Sequence, residues 1–232
     1  KIKQLIAKEL KSLKESKDYN IIGQDIKNVD IHKIITGKPL FGLDYISEGM
    51  VYASVLRPPA FGKKLASFDD RITKGINGVL EVVKFGDKIA VLGSNTWAAM
   101  KGKKALVAEW KNDAKLESTE DHDTELFKIL NGKKFETNRE DGNVESAFRN
   151  ADKIIERTYE SPFLPHNCME PMNFYAHVTP EQVHLVGPIQ TPAWTASKIS
   201  KLLNRKPEEI HLEMTRMGGG FGRRLYGDFA EE

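Results

Sequence analysis

The succession of strand, helix and strand in the last third of the chain constrains the fold more than any other feature. Residues 182–186 and 210–216 have the short apolar pattern of strands, and residues 192–203 have the apolar spacing of a helix. Thr191 is a candidate N-cap residue, and Pro192 stands at the first helical position, where its missing N–H is not needed. We therefore predict a β–α–β unit.

The direction of the two strands decides where the loops of this unit lie. If the strands are parallel, the crossover is right-handed, and the segments that follow them, 187–191 and 218–222, meet at one edge of the sheet. Gln190 would then lie beside the segment 218–222. An antiparallel arrangement would place the two segments apart.

The segment 218–222, called the glycine loop below, is built almost entirely of glycine. Residues 216–224 read RMGGGFGRR. Glycine permits positive φ and leaves the path of a ligand open, so consecutive N–H groups can turn towards an oxygen-rich group. The dinucleotide pattern G-x-G-x-x-G fails because its last position is Arg223, and the Gly-Lys-Ser/Thr ending of a P-loop is absent. Two interpretations remain, a cradle for an anion or cofactor and a tight turn without a ligand.

Bulk composition excludes several classes of protein. The 35 basic and 33 acidic side chains leave a net charge of +2, which does not favour nucleic-acid binding. The single cysteine, Cys168, excludes an internal disulfide, and no apolar run reaches the ~18 residues of a membrane span. The chain begins with Lys1 and lacks an apolar signal core, so we expect a piece of a longer protein. The sequence does not distinguish between the cytoplasm and the periplasm as the compartment of this protein.

An earlier α/β region precedes the β–α–β unit. Strands are predicted at 50–56, 79–85, 88–92 and 106–110, and helices at 4–13 and 96–104, with a hairpin turn at 86–87. The polar composition of residues 111–150 indicates a linker with one or two short helices, and a strand is predicted at 153–160. The predicted division is a leading helix and linker (1–27), a first domain (28–112), a linker with short helices (113–152) and a second domain (153–232).

Three motifs make the sequence similar to a known family. HNCMEPMN at 166–173, GPIQTP at 187–192 and RMGGGFG at 216–222 occur in this order. They resemble the large subunit of molybdenum hydroxylases, most of all the isoquinoline 1-oxidoreductase β-subunit branch of the xanthine dehydrogenase and aldehyde oxidase superfamily. The resemblance implies a mixed α+β and α/β chain: a small α/β hammerhead domain, followed by the first part of a molybdopterin-binding domain that contains the β–α–β unit.

The same resemblance implies a molybdenum–molybdopterin cofactor and the residues beside it. Gln190 matches the glutamine that hydrogen-bonds an oxo ligand of molybdenum. The residues expected at the cofactor are Gln190, Gly219, Gly220, Phe221, Gly222 and Arg223. Leu225 stands where xanthine-oxidising members have a substrate-binding acid, which disfavours a purine. The glutamate base of the family is expected beyond Glu232, so no catalytic residue is predicted here, and these 232 residues alone are expected to be inactive.

Two functional hypotheses follow from these motifs. The resemblance implies an oxidoreductase subunit that hydroxylates an N-heterocycle or an aldehyde, takes its oxygen from water and passes electrons to a subunit with two [2Fe-2S] clusters. The alternative is a non-catalytic two-domain module for partner binding or assembly, whose glycine loop and arginines contact another protein. Only the first hypothesis requires a cofactor.

Residue types that bind metals occur in and near the first of these motifs, HNCMEPMN. His166, Cys168 and His177 could bind zinc or copper. Their spacing matches no compact metal motif, and a lone cysteine is usually a small buried hydrophobic residue. No metal-ligating residue is therefore predicted. Glu170 belongs to the HNCMEPMN motif, and the sequence assigns it no role.

Overall fold

The computed structural model describes residues 13–132 and 134–232. The helix predicted at 4–13 falls almost entirely on residues 1–12, which lie outside the described residues. The strands are β1 (Tyr52–Leu56), β2 (Lys63–Asp69), β3 (Val79–Phe85), β4 (Lys88–Gly93), β5 (Val107–Asn112), β6 (Tyr175–Val178), β7 (Val183–Gly187) and β8 (Ile210–Met214). The α-helices are α1 (Ile31–Ile35), α2 (Arg71–Lys74), α3 (Thr96–Ala105), α4 (Thr119–Leu130), α5 (Val144–Arg149), α6 (Pro192–Leu203) and α7 (Asp228–Glu231). Short 3-10 helices occur at Ser16–Asp18, Gly42–Asp44, Pro207–Glu209 and Arg223–Leu225.

The described chain divides into two compact units. One is residues 47–161, and the other combines residues 13–46 with 162–232. Residues 28–46 therefore pack with the C-terminal segment rather than with the strands that follow them in sequence. The boundaries predicted above concern family domains rather than contacts, and they stay a prediction.

Residues 47–161 form a mixed α/β unit. β1, β4 and β3 make one antiparallel sheet in that order, and β2 pairs with β5. Leu65, Ile89, Val91 and Leu106 form the buried core. Gly102 of α3 lies against this sheet, and a Cβ atom there would be 2.7 Å from Val91 Cγ1. The missing side chain thus lets the helix lie close to β4.

The predicted elements of this region are largely confirmed. The hairpin of β3 and β4, the helix α3 and the strand β5 are present, and the linker contains the two short helices α4 and α5. The strand predicted at 153–160 is wrong: these residues have no regular structure and are exposed, including Ile154 and Ile155. An extended apolar pattern becomes a strand only where another strand pairs with it, and no described strand does so here.

The C-terminal unit is built on the predicted β–α–β arrangement. β6 pairs antiparallel with β7, and β7 pairs parallel with β8. α6 forms the crossover, and Pro192 stands at its start as predicted. Val183 and Leu185 pack with Ile199 of the helix in the core of this unit. One face of the sheet is therefore covered by α6.

Residues 30–46 are part of this C-terminal unit. Phe41 forms an isolated parallel bridge with Arg216, whose backbone N–H donates to the Leu40 carbonyl at 2.9 Å. The Arg216 guanidinium donates to Asp30 Oδ2 at 2.7 Å. The early segment thus extends the sheet just beyond the end of β8.

Candidate functional site

Gln190 and the glycine loop lie together at the carboxyl edge of the sheet. Because β7 and β8 are parallel, the segments that follow them leave the sheet on the same side. A Cβ atom on Gly220 would be 3.0 Å from both Cδ and Oε1 of Gln190. The neighbourhood predicted for Gln190 is confirmed, and glycine at 220 is what lets the glutamine side chain reach the loop backbone.

The carboxamide of Gln190 is held at one end only. Its Oε1 accepts a hydrogen bond from the Arg224 N–H at 3.2 Å, and the Gln190 N–H donates to the Arg224 carbonyl at 3.1 Å. Within the described part of the chain, its Nε2 group has no hydrogen-bond partner. Gln190 is only partly buried, so this N–H group is a fixed donor open to a ligand.

The glycine loop also presents backbone donors. Gly219, Phe221 and Gly222 have φ of 106°, 49° and 84°, in the left-handed region. Among the described residues, no group accepts a hydrogen bond from the consecutive N–H groups of 219–222. Consecutive N–H groups without an internal partner can bind anionic or oxygen-rich groups. The Phe221 side chain is 73% exposed and does not fill the core.

The fully buried Arg224 holds this loop in place. Its side chain is 0% exposed, and Nε donates to the Gly219 carbonyl at 2.8 Å. Nη2 donates to the Glu170 carbonyl at 2.7 Å and contacts Glu170 Oε2 at 3.4 Å, and Nη1 donates to the Pro188 carbonyl at 3.5 Å. The sequence does not indicate this role of Arg224, because no local pattern shows which of two adjacent arginines is buried.

Glu170, together with Arg224, holds the glycine loop in place. Its Oε2 accepts from the Gly218 N–H at 2.8 Å, and its Oε1 accepts from Asn173 Nδ2 at 3.0 Å and from the Leu43 N–H at 3.3 Å. The Glu170 N–H in turn donates to the Gly218 carbonyl at 3.0 Å. The carboxylate is buried and its known partners are structural, so it fixes the first glycine of the loop.

Arg223 has a different role from its neighbour. Its guanidinium makes two hydrogen bonds with Asp228, at 2.6 and 2.8 Å. The Asp228 carboxylate raises the pKa of Arg223 by this hydrogen bonding, which outweighs the effect of burial. The charge of Arg223 is thus already compensated inside the chain, and its contribution to the site is to fix the end of the glycine loop.

A small open cavity lies beside the glycine loop. It has a volume of about 290 Å³ and is lined by Pro165, His166, Asn167, Cys168, Pro171, Met172 and Arg223. The Cys168 thiol donates to the Gly220 carbonyl at 3.5 Å, which ties the cavity wall to the loop. The HNCMEPMN motif therefore borders the loop in space as well as supporting it.

The structure also shows where the N-cap candidate Thr191 and the three metal-ligand types near the HNCMEPMN motif lie. Thr191 occupies the N-cap position of α6 but makes no cap hydrogen bond; its hydroxyl donates to the Leu225 carbonyl instead. His166, Cys168 and His177 form no cluster among the described residues. The one group there with three potential metal ligands close together is His184, His211 and Glu213.

The donors at the sheet edge fit the cofactor that the resemblance implies. The carboxamide Nε2 of Gln190 and the N–H groups of 219–222 are all hydrogen-bond donors, and none is paired within the described residues. Molybdopterin with its metal offers oxygen acceptors and negative charge, which is the complement of such a set. At Gly222 the atom nearest to the position of a Cβ is Leu225 Cδ1, at 3.8 Å, so an approaching group has room to reach the backbone there.

Comparison with known proteins supports this chemistry. Residues 127–232 match the family model described as molybdopterin cofactor-binding domain. The chain is 28% identical to the membrane-bound aldehyde dehydrogenase [pyrroloquinoline-quinone] of Gluconacetobacter polyoxogenes, over 94% of this chain and 30% of the relative. It is 25% identical to isoquinoline 1-oxidoreductase subunit beta of Brevundimonas diminuta, over 92% of this chain and 29% of the relative. The first relative's name gives pyrroloquinoline quinone, whereas the matched domain is a molybdopterin domain.

A solved structure shares the fold. The crystal structure of quinoline 2-oxidoreductase from Pseudomonas putida 86 superposes with a TM-score of 0.62 at 15% identity, over 89% of this chain and 32% of that chain. The chain spans about 30% of the length of each of the two curated relatives named above. No helix among the described residues is long and apolar enough to cross a membrane. The resemblance inferred from the sequence is confirmed: this chain is related to the large subunits of molybdenum hydroxylases, and residues 127–232 match their molybdopterin cofactor-binding domain.

Proposed function

We propose that this chain forms part of the cofactor-binding subunit of a molybdenum-dependent oxidoreductase that hydroxylates an N-heterocycle or an aldehyde. Water is the proposed source of oxygen, and a separate [2Fe-2S] subunit is the proposed electron acceptor. One observation carries the proposal: the Gln190 carboxamide, fixed through its oxygen, directs an unpaired donor to the same edge as the open N–H groups of the glycine loop.

Each residue of the proposed site has a defined task. Gln190 donates a hydrogen bond from Nε2 to an oxygen of the cofactor. The N–H groups of Gly219, Gly220, Phe221 and Gly222 bind further acceptor atoms, and Arg223 holds the end of the loop through Asp228. When bound, the molybdenum cofactor supplies oxygen transfer to the substrate and accepts two electrons. Glu170 and Arg224 act only through the loop and are positioning residues.

The substrate class is proposed from the residue after the arginine pair. Leu225 offers no charge to a purine, and its side chain is 41% exposed beside the glycine loop. The two relatives are named for an aldehyde and for isoquinoline, and both substrates are compatible with an uncharged side chain at this position. No residue of this chain is proposed as the catalytic base, which we place in the remainder of the subunit.

Molybdenum and molybdopterin analysis of the full-length protein, produced with its iron–sulfur subunit, tests the proposal. We expect the wild type and the control Gln182→Leu, an exposed glutamine away from the loop, to retain molybdenum equally. Gln190→Leu loses the proposed hydrogen bond to the negatively charged cofactor, together with the one from the Arg224 N–H, so we expect molybdenum retention to fall by at least about tenfold during dialysis. A folded full-length protein without molybdopterin, or a Gln190→Leu variant with unchanged retention, would overturn the proposal. Partner binding that ignores cofactor supply would favour a non-catalytic module.

A further inference from the structure

The face of the C-terminal sheet opposite α6 carries a cluster of ligand-type side chains. His184 of β7 lies directly opposite His211 of β8, and Val186 lies opposite Glu213. Alternate residues of a strand point to the same face, so His184, His211 and Glu213 share one surface. Val183 and Leu185 point the other way, into the core beneath α6. The cluster is therefore separate from the glycine loop.

The distances within this cluster are close to those of a metal site. His184 Nε2 lies 2.8 Å from Glu213 Oε1, and His211 Nε2 lies 3.1 Å from the same oxygen. The three ligand atoms all lie within 4.8 Å of one another. Around a tetrahedral zinc ion with bonds of ~2.0–2.1 Å, neighbouring ligand atoms are about 3.3 Å apart. The two histidine–glutamate distances would each lengthen by only a few tenths of an ångström to reach this value.

The charges of the cluster favour a cation. Within residues 13–132 and 134–232, Glu213 forms hydrogen bonds with His184 and His211 and an ion pair with no lysine or arginine. Imidazole binds a metal in its neutral form, so in a metal complex the carboxylate would be the one charged ligand of the cluster, and a divalent ion would compensate it.

The surroundings of the cluster leave one side open to solution. Tyr175 packs edge-on against His184 with ring centroids 5.9 Å apart, and Tyr45 packs on Tyr175 at 4.8 Å. The side chains of His211 and Glu213 are 66% and 53% exposed, and that of His184 is 25% exposed. An ion can thus reach the ligands without unfolding the sheet, and water can occupy a remaining coordination position.

We propose that His184, His211 and Glu213 bind a divalent transition-metal ion, with Zn²⁺ as the representative ion. Imidazole nitrogen favours zinc and other late transition ions over the hard cations Mg²⁺ and Ca²⁺. Two ligands come from β8 and one from β7, so the ion links the two strands that lead into the Gln190 segment and the glycine loop. A bound ion would restrain the strands from which both loops leave the sheet, whether or not the loops bind molybdopterin.

Titration calorimetry of the metal-stripped chain with ZnCl₂ tests this site, after removal of any histidine tag. We expect one equivalent of Zn²⁺ for the wild type and for the control His32→Asn, which removes a histidine outside the cluster. His211→Asn and Glu213→Gln each remove one of three ligands and should weaken binding by at least about tenfold. Titration with MgCl₂ should give no saturable binding.

Two further measurements keep the outcome unambiguous. Circular dichroism of each variant in chelator should match that of the wild type, because His211 and Glu213 are exposed and their removal leaves the core intact. Amide exchange in β7 and β8 should slow when Zn²⁺ is added to the wild type and not when it is added to His211→Asn. Absence of saturable Zn²⁺ binding by the wild type, or wild-type Zn²⁺ affinity in both His211→Asn and Glu213→Gln, would overturn the proposed site.

Discussion

Arg224 connects three chain segments through a single buried side chain. It donates to carbonyls of Pro188, Glu170 and Gly219 and faces the Glu170 carboxylate. A buried guanidinium is tolerated only when its donors are paired, and here the partners are the loops that border the candidate site. The geometry of the donors at the sheet edge therefore depends on one ion pair beneath them.

Arg224→Met should destabilise the C-terminal unit strongly, because it keeps the volume and leaves the Glu170 carboxylate buried without its cation. Removing one partner of a buried pair costs about 3–5 kcal/mol. The neighbouring substitution Arg223→Met is the matched control, because the Arg223–Asp228 pair is partly exposed and should contribute about 1 kcal/mol or less. Urea unfolding followed by circular dichroism measures both changes. Equal effects of the two substitutions would refute the structural role of Arg224.

The local sequence pattern predicted some helices and strands correctly and others not. Apolar periodicity and the Pro192 start predicted α6 and its flanking strands. The position of Gln190 beside the glycine loop was predicted only for parallel strands, and β7 and β8 are parallel. The same reasoning wrongly predicted a strand at 153–160 and missed β2 and β6, because a strand depends on a partner that is distant in sequence. Four-residue β6 is also too short to show a clear alternation.

The side-chain sets that support the site were not predictable for a related reason. Glu170 and Arg224 are 54 residues apart, and no local pattern links them. His184, His211 and Glu213 come together only through the register of β7 with β8, which a sequence does not display. The local pattern thus predicted that Gln190 lies beside residues 218–222, whereas it did not indicate contacts that depend on strand pairing and burial.

Helix α4 provides a pH-dependent test at the scale of an element. Ser118 caps it: Ser118 Oγ accepts from the Asp121 N–H at 3.1 Å, and Asp121 Oδ2 accepts from the Ser118 N–H at 2.9 Å. This backbone hydrogen bond, with Lys115 and the Ser118 hydroxyl, lowers the pKa of Asp121 from 3.8 to about 2. The stabilising contribution is therefore complete above pH 3.8 and is lost as the pH falls towards 2.

We expect carboxyl resonances of Asp121 in an NMR titration to show a midpoint near pH 2, with amide exchange in the first turn of α4 rising over the same range. Lys115→Gln and Ser118→Ala each remove one of the hydrogen bonds to the carboxylate and should raise the midpoint. A wild-type midpoint close to 3.8 would show that the capping box does not form in solution.

On the scale of the whole molecule, one unit is assembled from two distant parts of the chain. Residues 13–46 and 162–232 form it together, and the other unit lies between them in sequence. The Asp30–Arg216 ion pair, the bridge of Phe41 with Arg216 and the Leu43–Glu170 hydrogen bond join the two parts. The connection that enters the second part, residues 150–163, is exposed and has no regular structure after residue 150.

Chymotrypsin should therefore cut first near Tyr159, whose side chain is 89% exposed, and spare Phe174 in the core. Because residues 13–46 remain attached to the first fragment and pack with 162–232, we expect the two fragments to elute together on size-exclusion chromatography in native buffer and to separate in urea. Arg216→Met removes the ion pair with Asp30 and should release more of the C-terminal fragment. Complete separation of the wild-type fragments in native buffer would mean that the early segment does not belong to this unit in solution.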